Sequence, residues 1–248
     1  TAHDDRWSVL IAEHLLVGPG FTPAIGFTRR ENFRRDLAVA RFSPRLKSNP
    51  YMRKLTWQGT FTYDTDAAVT RVENRSTEGT FGIEFHSGDQ ATVGVSRDYE
   101  LLIRPFPIAP SVTIPAAGYT SRTVTASYSL AAQRRVAGRL TFISGSLYDG
   151  TRREASYSGR IASSPHFAVE PGLSLAWVET PYGEFAARLL TSRFSFTPTA
   201  RLIVSSLLQL NVDGHTISSS VRLRWEYIPG SELFLVYSED RSTDVLDR

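Results

Sequence analysis

The chain has 248 residues, 41% hydrophobic and 21% charged, which is enough for one large β domain with its own core. It has no cysteine, which excludes a disulfide scaffold, a thiolate-ligated zinc or iron–sulfur centre and a cysteine nucleophile. With 28 basic and 25 acidic residues the net charge is only +3, a field too weak to suggest nucleic acid, and all the basic residues except Lys47 and Lys54 are arginine.

Residues 1–6 are polar and acidic and open no signal peptide, so a processed chain or a fragment is expected. In the stretch 7–16, Trp7, Leu10, Ile11 and His14 could mark a helical face, but a strand is the reading adopted. Beyond residue 50 the hydrophobic period is two almost everywhere. Leu55, Trp57, Gly59, Phe61 and Tyr63 alternate with Thr56, Gln58, Thr60 and Thr62; Phe81, Ile83 and Phe85 alternate with Thr80, Gly82 and Glu84. The pattern returns at Ala91, Val93 and Val95, at Val124, Ala126 and Tyr128, at Leu140 and Phe142, and at Phe167, Val169, Leu173, Leu175 and Trp177. It closes on Ile217, Val221, Leu223, Trp225 and Tyr227. Turn dipeptides punctuate it, among them Ser87-Gly88-Asp89, Tyr148-Asp149-Gly150, Pro181-Tyr182-Gly183, Asp213-Gly214 and Pro229-Gly230-Ser231. One long connection, 105–118, holds four prolines and reads as an exposed loop.

This predicts an all-β antiparallel meander in a single domain, 1–248. Strands are expected near 7–17, 36–44, 53–63, 69–86, 90–103, 119–130, 136–148, 151–163, 167–178, 184–196, 201–211, 216–227 and 232–239. These arms exceed the five or six residues of a typical sandwich strand and match the roughly nine to eleven of a tilted membrane-spanning strand. No apolar run approaches the roughly 20 residues of a membrane helix. An outer-membrane-type β-barrel of about 13 strands is therefore expected, apolar face to lipid and polar face to a lumen. The alternative is a secreted, soluble β-sandwich that binds polysaccharide through exposed aromatics. Bacterial single-chain barrels have even strand numbers, and 240–248 reads as a polar segment, so a last strand is expected to be missing.

Chemistry-bearing residues are few. His3, His14, His86, His166 and His215 are scattered without a zinc-ligand spacing, and Ser144-Gly145-Ser146 lies inside an alternating strand, so no catalytic site, metal or cofactor is expected. Asp213 with His215, and His86 with Asp89, sit at turns, which explains both pairs; a rim-located hydrolase built near Asp213 and His215 is the runner-up reading. On the polar face Arg139, Arg160, Arg222 and Arg224 fall with Glu154, Glu170 and Glu226, a charged ladder able to fill a lumen with ion pairs or to select ions. Trp57, Trp177, Trp225 and Tyr227, with Trp7, Tyr148 and Tyr182, gather toward strand ends as interfacial aromatics do.

Gly20-Phe21-Thr22-Pro23-Ala24-Ile25-Gly26-Phe27-Thr28-Arg29-Arg30, Phe42-Ser43-Pro44-Arg45, Leu147-Tyr148-Asp149-Gly150-Thr151-Arg152, Gln209-Leu210-Asn211 and above all the segment from Val221-Arg222-Leu223-Arg224-Trp225-Glu226-Tyr227 through Pro229-Gly230-Ser231-Glu232 to Tyr237 resemble a family of bacterial outer-membrane proteins of unknown function. In that family an N-terminal domain like carbohydrate-binding family nine precedes a large C-terminal barrel. The chain resembles the C-terminal portion and departs from it twice, lacking the binding domain and the final apolar strand. The resemblance implies a bacterial outer-membrane location, the lipid bilayer as partner, and a passage or anchoring platform, not an enzyme, with a glycan as the second partner.

Overall fold

The computed structural model describes residues 7–21 and 31–243, with side chains from residue 10 onward. His3, the side chain of Trp7 and the motif residues 22–30 lie outside them. Alternating β-branched and aromatic residues separated by Gly, Pro and Asp turns give strands throughout, 77% of the chain, with no α-helix among the described residues. In order they are β1 (Trp7–Val17), β2 (Phe33–Phe42), β3 (Met52–Asp66), β4 (Val72–Phe85), β5 (Gln90–Leu101), β6 (Phe106–Ala109), β7 (Val112–Ile114) and β8 (Gly118–Leu130). There follow β9 (Val136–Leu147), β10 (Gly150–Ser164), β11 (Phe167–Thr180), β12 (Gly183–Thr199), β13 (Leu202–Asn211), β14 (Thr216–Ile228) and β15 (Ser231–Ser242). Thirteen of them form one antiparallel meander in the order β1-β2-β3-β4-β5-β8-β9-β10-β11-β12-β13-β14-β15, and β6 and β7 pair separately. Among the described residues no pairing joins β1 to β15, so the sheet is open.

The ambiguous stretch at residue 7 is the strand β1. Three expectations are corrected. The meander has the thirteen strands expected, but the described residues hold fifteen strands in all, because the 105–118 connection folds into a hairpin of its own. Residues 240–242 extend β15 instead of forming a polar tail, paired through Asp240↔Ser218 and Ser242↔Thr216. The 105–118 connection is not simply an exposed loop, since it carries the two most deeply buried side chains described, Ile114 at 0% and Val112 at 1% exposure.

Contacts group the chain into two units, one of Thr1–Ala126, Ile143–Arg152 and Val178–Phe185, the other of Ser127–Phe142, Arg153–Trp177 and Ala186–Arg248. In the first, the three residues of β7 alternate in, out, in, so Val112 and Ile114 enter a cluster with Tyr119 and Tyr148 while Thr113 faces water. Leu102, Ile108, Ala109, Leu147 and Phe185 surround it. Burying each aliphatic side chain there stabilises the unit by about 1.5–3 kcal/mol. Tyr119 and Tyr148 meet edge to face at 5.2 Å. The Tyr119 hydroxyl donates to the Pro115 carbonyl at 2.9 Å, and that of Tyr148 to Glu100 Oε2 at 3.1 Å. Tyr148 and Asp149 both have positive φ, 47° and 63°, the two-residue turn that suits a right-twisted hairpin. A bulky residue there is strained, and the cluster's grip on the Tyr148 ring offsets the cost. Glycine follows of necessity, because a Cβ on Gly150 would sit 1.9 Å from the Glu179 carbonyl oxygen.

The second unit has no comparable core. Its buried hydrophobic residues, among those described, are Ala131 and Ala168. Phe194, Leu208, Leu223, Trp225 and Leu235 stand on one face of its sheet, whereas Leu189, Leu207 and Phe234 stand on the other.

Candidate functional site

The strand registers turn the alternation into rows across the sheet. In the first unit one face carries Leu55–Ile83–Ala91, then Phe42–Trp57–Phe81–Val93, then Leu10–Ala40–Gly59–Gly79–Val95, then Ala12–Ala38–Phe61–Thr77–Arg97. Successive rows lie two residues, about 6.8 Å, apart, so four rows span roughly 20 Å along the strands, close to the roughly 25 Å apolar band of outer-membrane barrels. The next row is His14–Asp36–Tyr63–Arg75–Tyr99, where the apolar surface stops. His14 Nδ1 and Asp36 Oδ1 are 2.6 Å apart in that row. Trp57 is exposed between Phe42 and Phe81, with ring centroids at 5.7 and 5.3 Å. It therefore lies one row inside the belt rather than at a strand end.

The second unit repeats the arrangement with Phe194–Ser206–Val221–Tyr237, Phe196–Val204–Leu223–Leu235 and Leu202–Trp225–Leu233. Trp225 and Tyr227 are exposed at the end of β14 next to the Pro229-Gly230 turn, their rings 6.0 Å apart. Trp177 is exposed three positions before the end of β11. Above Tyr237 the face of β15 becomes charged. Glu239 accepts the Tyr237 hydroxyl at 2.9 Å and the Arg241 Nε–H at 2.5 Å.

The polar face carries the predicted charges but not as a continuous ladder. Arg224 donates to Glu232 on the neighbouring strand β15, while Glu226 stands directly opposite Glu232 and accepts the Gly230 N–H at 3.1 Å. Arg224 thus pairs with one of two facing carboxylates. Glu170 is 4.0 Å from Arg193. Arg139 Nε donates to Ser129 at 2.9 Å. Arg160 and Arg222 are exposed and have no ion pair among the described residues, and Glu154 is half-buried on β10. The sequence did not single out Glu232 or Arg193; the signal is cross-strand register, which needs the pairing to be known.

The turn pairs separate chemically. Asp213 is occupied by Arg188, whose Nη2 and Nε lie 2.8 and 3.2 Å from Oδ1 and whose backbone N–H reaches Oδ2 at 2.6 Å. The Arg188 guanidinium holds the Asp213 carboxyl below the usual carboxylate range. His215 has a positive φ of 48° in the same turn. His86 Nε2 is 3.0 Å from the Asn49 carbonyl, and His166 Nδ1 is 2.9 Å from that of Thr197. Among the described residues no three His, Asp or Glu side chains converge on a metal-sized site.

No protein-family model, curated protein or solved structure matches this chain.

Proposed function

We propose that the chain forms most of an outer-membrane β-barrel whose apolar face meets lipid, and that it serves as a passage or anchoring platform, without catalysis, in the surface handling of glycans. One observation carries the reading: both units present continuous rows of Leu, Val, Phe and Trp that nothing in the described chain covers. A soluble monomer rarely exposes apolar patches beyond a few hundred Å². The edge strands agree. On β15 Phe234, Leu235 and Val236 are 63, 62 and 60% exposed on alternate faces, and Leu10, Ile11, Leu15 and Leu16 are exposed on β1. An edge left to water is blunted by charge or proline, whereas an edge that completes a ring has no such need.

The long strands and single meander favour this reading over a sandwich, whose two sheets would bury these rows against each other. The glycan link and the bacterial location come from the family resemblance and are fold-level analogy. Reconstitution tests the first step: the chain should enter lipid vesicles and stay monomeric only in detergent, whereas a lipid-indifferent monomer in water would overturn the reading. Conductance in a planar bilayer tests passage. Selectivity lost on changing Arg222→Ser, with Arg224→Ser as the paired comparison, would mark a lumenal filter, and an electrically silent barrel would leave the anchoring role.

A further inference from the structure

On the apolar face of the first unit the alternation runs out into arginine. Arg97 follows Val93 and Val95 on β5, Arg122 precedes Val124 on β8, and Arg75 lies beyond Thr77 on β4. Arg97 faces Thr77 and Arg75 faces Tyr99, which makes the two arginines diagonal neighbours about 7–8 Å apart. All three are exposed, and none has an ion pair among the described residues. Three other arginines of the unit are matched, Arg35 with Asp64, Arg53 with Glu84 and Arg71 with Glu73, while Arg41, Arg45 and Arg104 have no ion pair among the described residues but do not border this face's depression.

Beneath them is a depression of about 590 Å³ lined by Thr77, Gly79, Val95, Arg97, Arg122 and Val124. Glu78 also borders it but belongs to the polar face, where Thr80 donates to it. Through Gly79 and Val95 it continues into a second depression of about 510 Å³ beside Trp57 and Phe81. The result is an apolar groove with unpaired cations at one end.

We propose that this groove binds a phosphorylated membrane lipid, with the phosphate between Arg97 and Arg122, Arg75 on its flank, and an acyl chain running past Val95 toward Trp57. The inference rests on the lipid-facing reading above. Charge selects the occupant. A second copy of the chain meeting this face symmetrically would set arginine against arginine, a zwitterionic lipid would bring its own cation toward them, and a neutral glycan would leave the groove unfilled. Guanidinium groups pair with phosphate through two parallel hydrogen bonds, so two or three of them can hold one headgroup.

The test is quenching of tryptophan fluorescence by bromo-acyl phosphatidylglycerol or bromo-acyl phosphatidylcholine in vesicles, with the Trp57 contribution taken as the difference between the chain and its Trp57→Phe variant. Phosphatidylglycerol should quench Trp57 at about tenfold lower mole fraction, the order of one charge-assisted contact. The Arg97→Gln/Arg122→Gln variant should lose that preference while quenching of Trp177 and Trp225 stays as it was. Equal quenching of Trp57 by the two lipids would overturn the site and leave the membrane face standing; no quenching by either would overturn the membrane reading itself. A preference that survives the double variant would remove the arginines from the assignment. Inorganic phosphate, against chloride of equal ionic strength, should not displace the lipid, and displacement would reduce the site to one for phosphate alone.

Discussion

Val112 and Ile114 in the hairpin and Val221 and Leu235 in the sheet are chemically alike, yet the first pair is sealed by its own chain and the second is open. The hairpin cluster brings aliphatic and aromatic groups from β6, β7, β8, β9 and β12 onto one another, so it needs only water outside it. The β13–β15 face has neighbours along the sheet and leaves Val221, Trp225, Leu233 and Leu235 exposed among the described residues. The apolar residues are here divided between a small intramolecular core and a large exposed surface, and only the first part contributes burial to stability in water.

Perturbing each region tells them apart. Ile114→Ala should have the largest effect, about 2–5 kcal/mol in the stability of the hairpin, read as loss of amide-exchange protection over 103–117 with the β13–β15 amides unchanged. Equal loss in both would mean one cooperative structure. Leu223→Arg should cost about 2–4 kcal/mol for the chain folded into vesicles; a shift within about 0.5 kcal/mol, ordinary for a solvent-exposed site, would show that this face meets water.

Tyr148→Phe keeps the ring and removes the bond to Glu100, with an expected loss of about 1.5–3 kcal/mol in urea unfolding, as for hydrogen bonds to charged groups. Burial first, and Glu100 second, push the Tyr148 hydroxyl up to about 12. The folded state therefore holds its proton longer than the unfolded chain does, so this stabilisation is complete below pH about 10 and lost as pH rises toward 12. The phenylalanine variant should show a shallower alkaline decline.

The smallest effect belongs to Asp213→Asn. Since Arg188 lowers the Asp213 pKa, the pair stabilises its turn above the unfolded carboxylate pKa of about 3.9 and ceases to do so as pH falls through the lower folded value. Exchange of the Asp213–His215 turn amides should accelerate in acid in the parent chain, after allowance for intrinsic rates, and lose that dependence in the variant.

The thirteen sheet strands were readable because a period of two, held over ten or more residues, leaves little room for another structure. Boundaries slipped where chemistry was ambiguous: β2 starts at Phe33 and runs through Arg34 and Arg35, which the sequence reading left outside. The β6–β7 hairpin escaped because strands of four and three residues are too short to show a period, and its prolines read as loop. In the site, Trp225 beside Tyr227 at a strand end was legible from position alone. Trp57 was not, since its place depends on which row Phe42 and Phe81 occupy. Arg75, Arg97 and Arg122 could have been found by following each strand's apolar parity past its last hydrophobic residue.

The meander also bears on how the chain acquires its structure. Strands paired with sequence neighbours need only short loop closures, so most of the sheet can zip one hairpin at a time at little entropic cost. The exception is the junction of β5 with β8, where β6 and β7 intervene. Closing that junction defers the reward until Val112 and Ile114 find Tyr119 and Tyr148. This step should limit the rate at which the first unit forms, and shortening the intervening segment should speed it even as the loss of the cluster lowers the final stability.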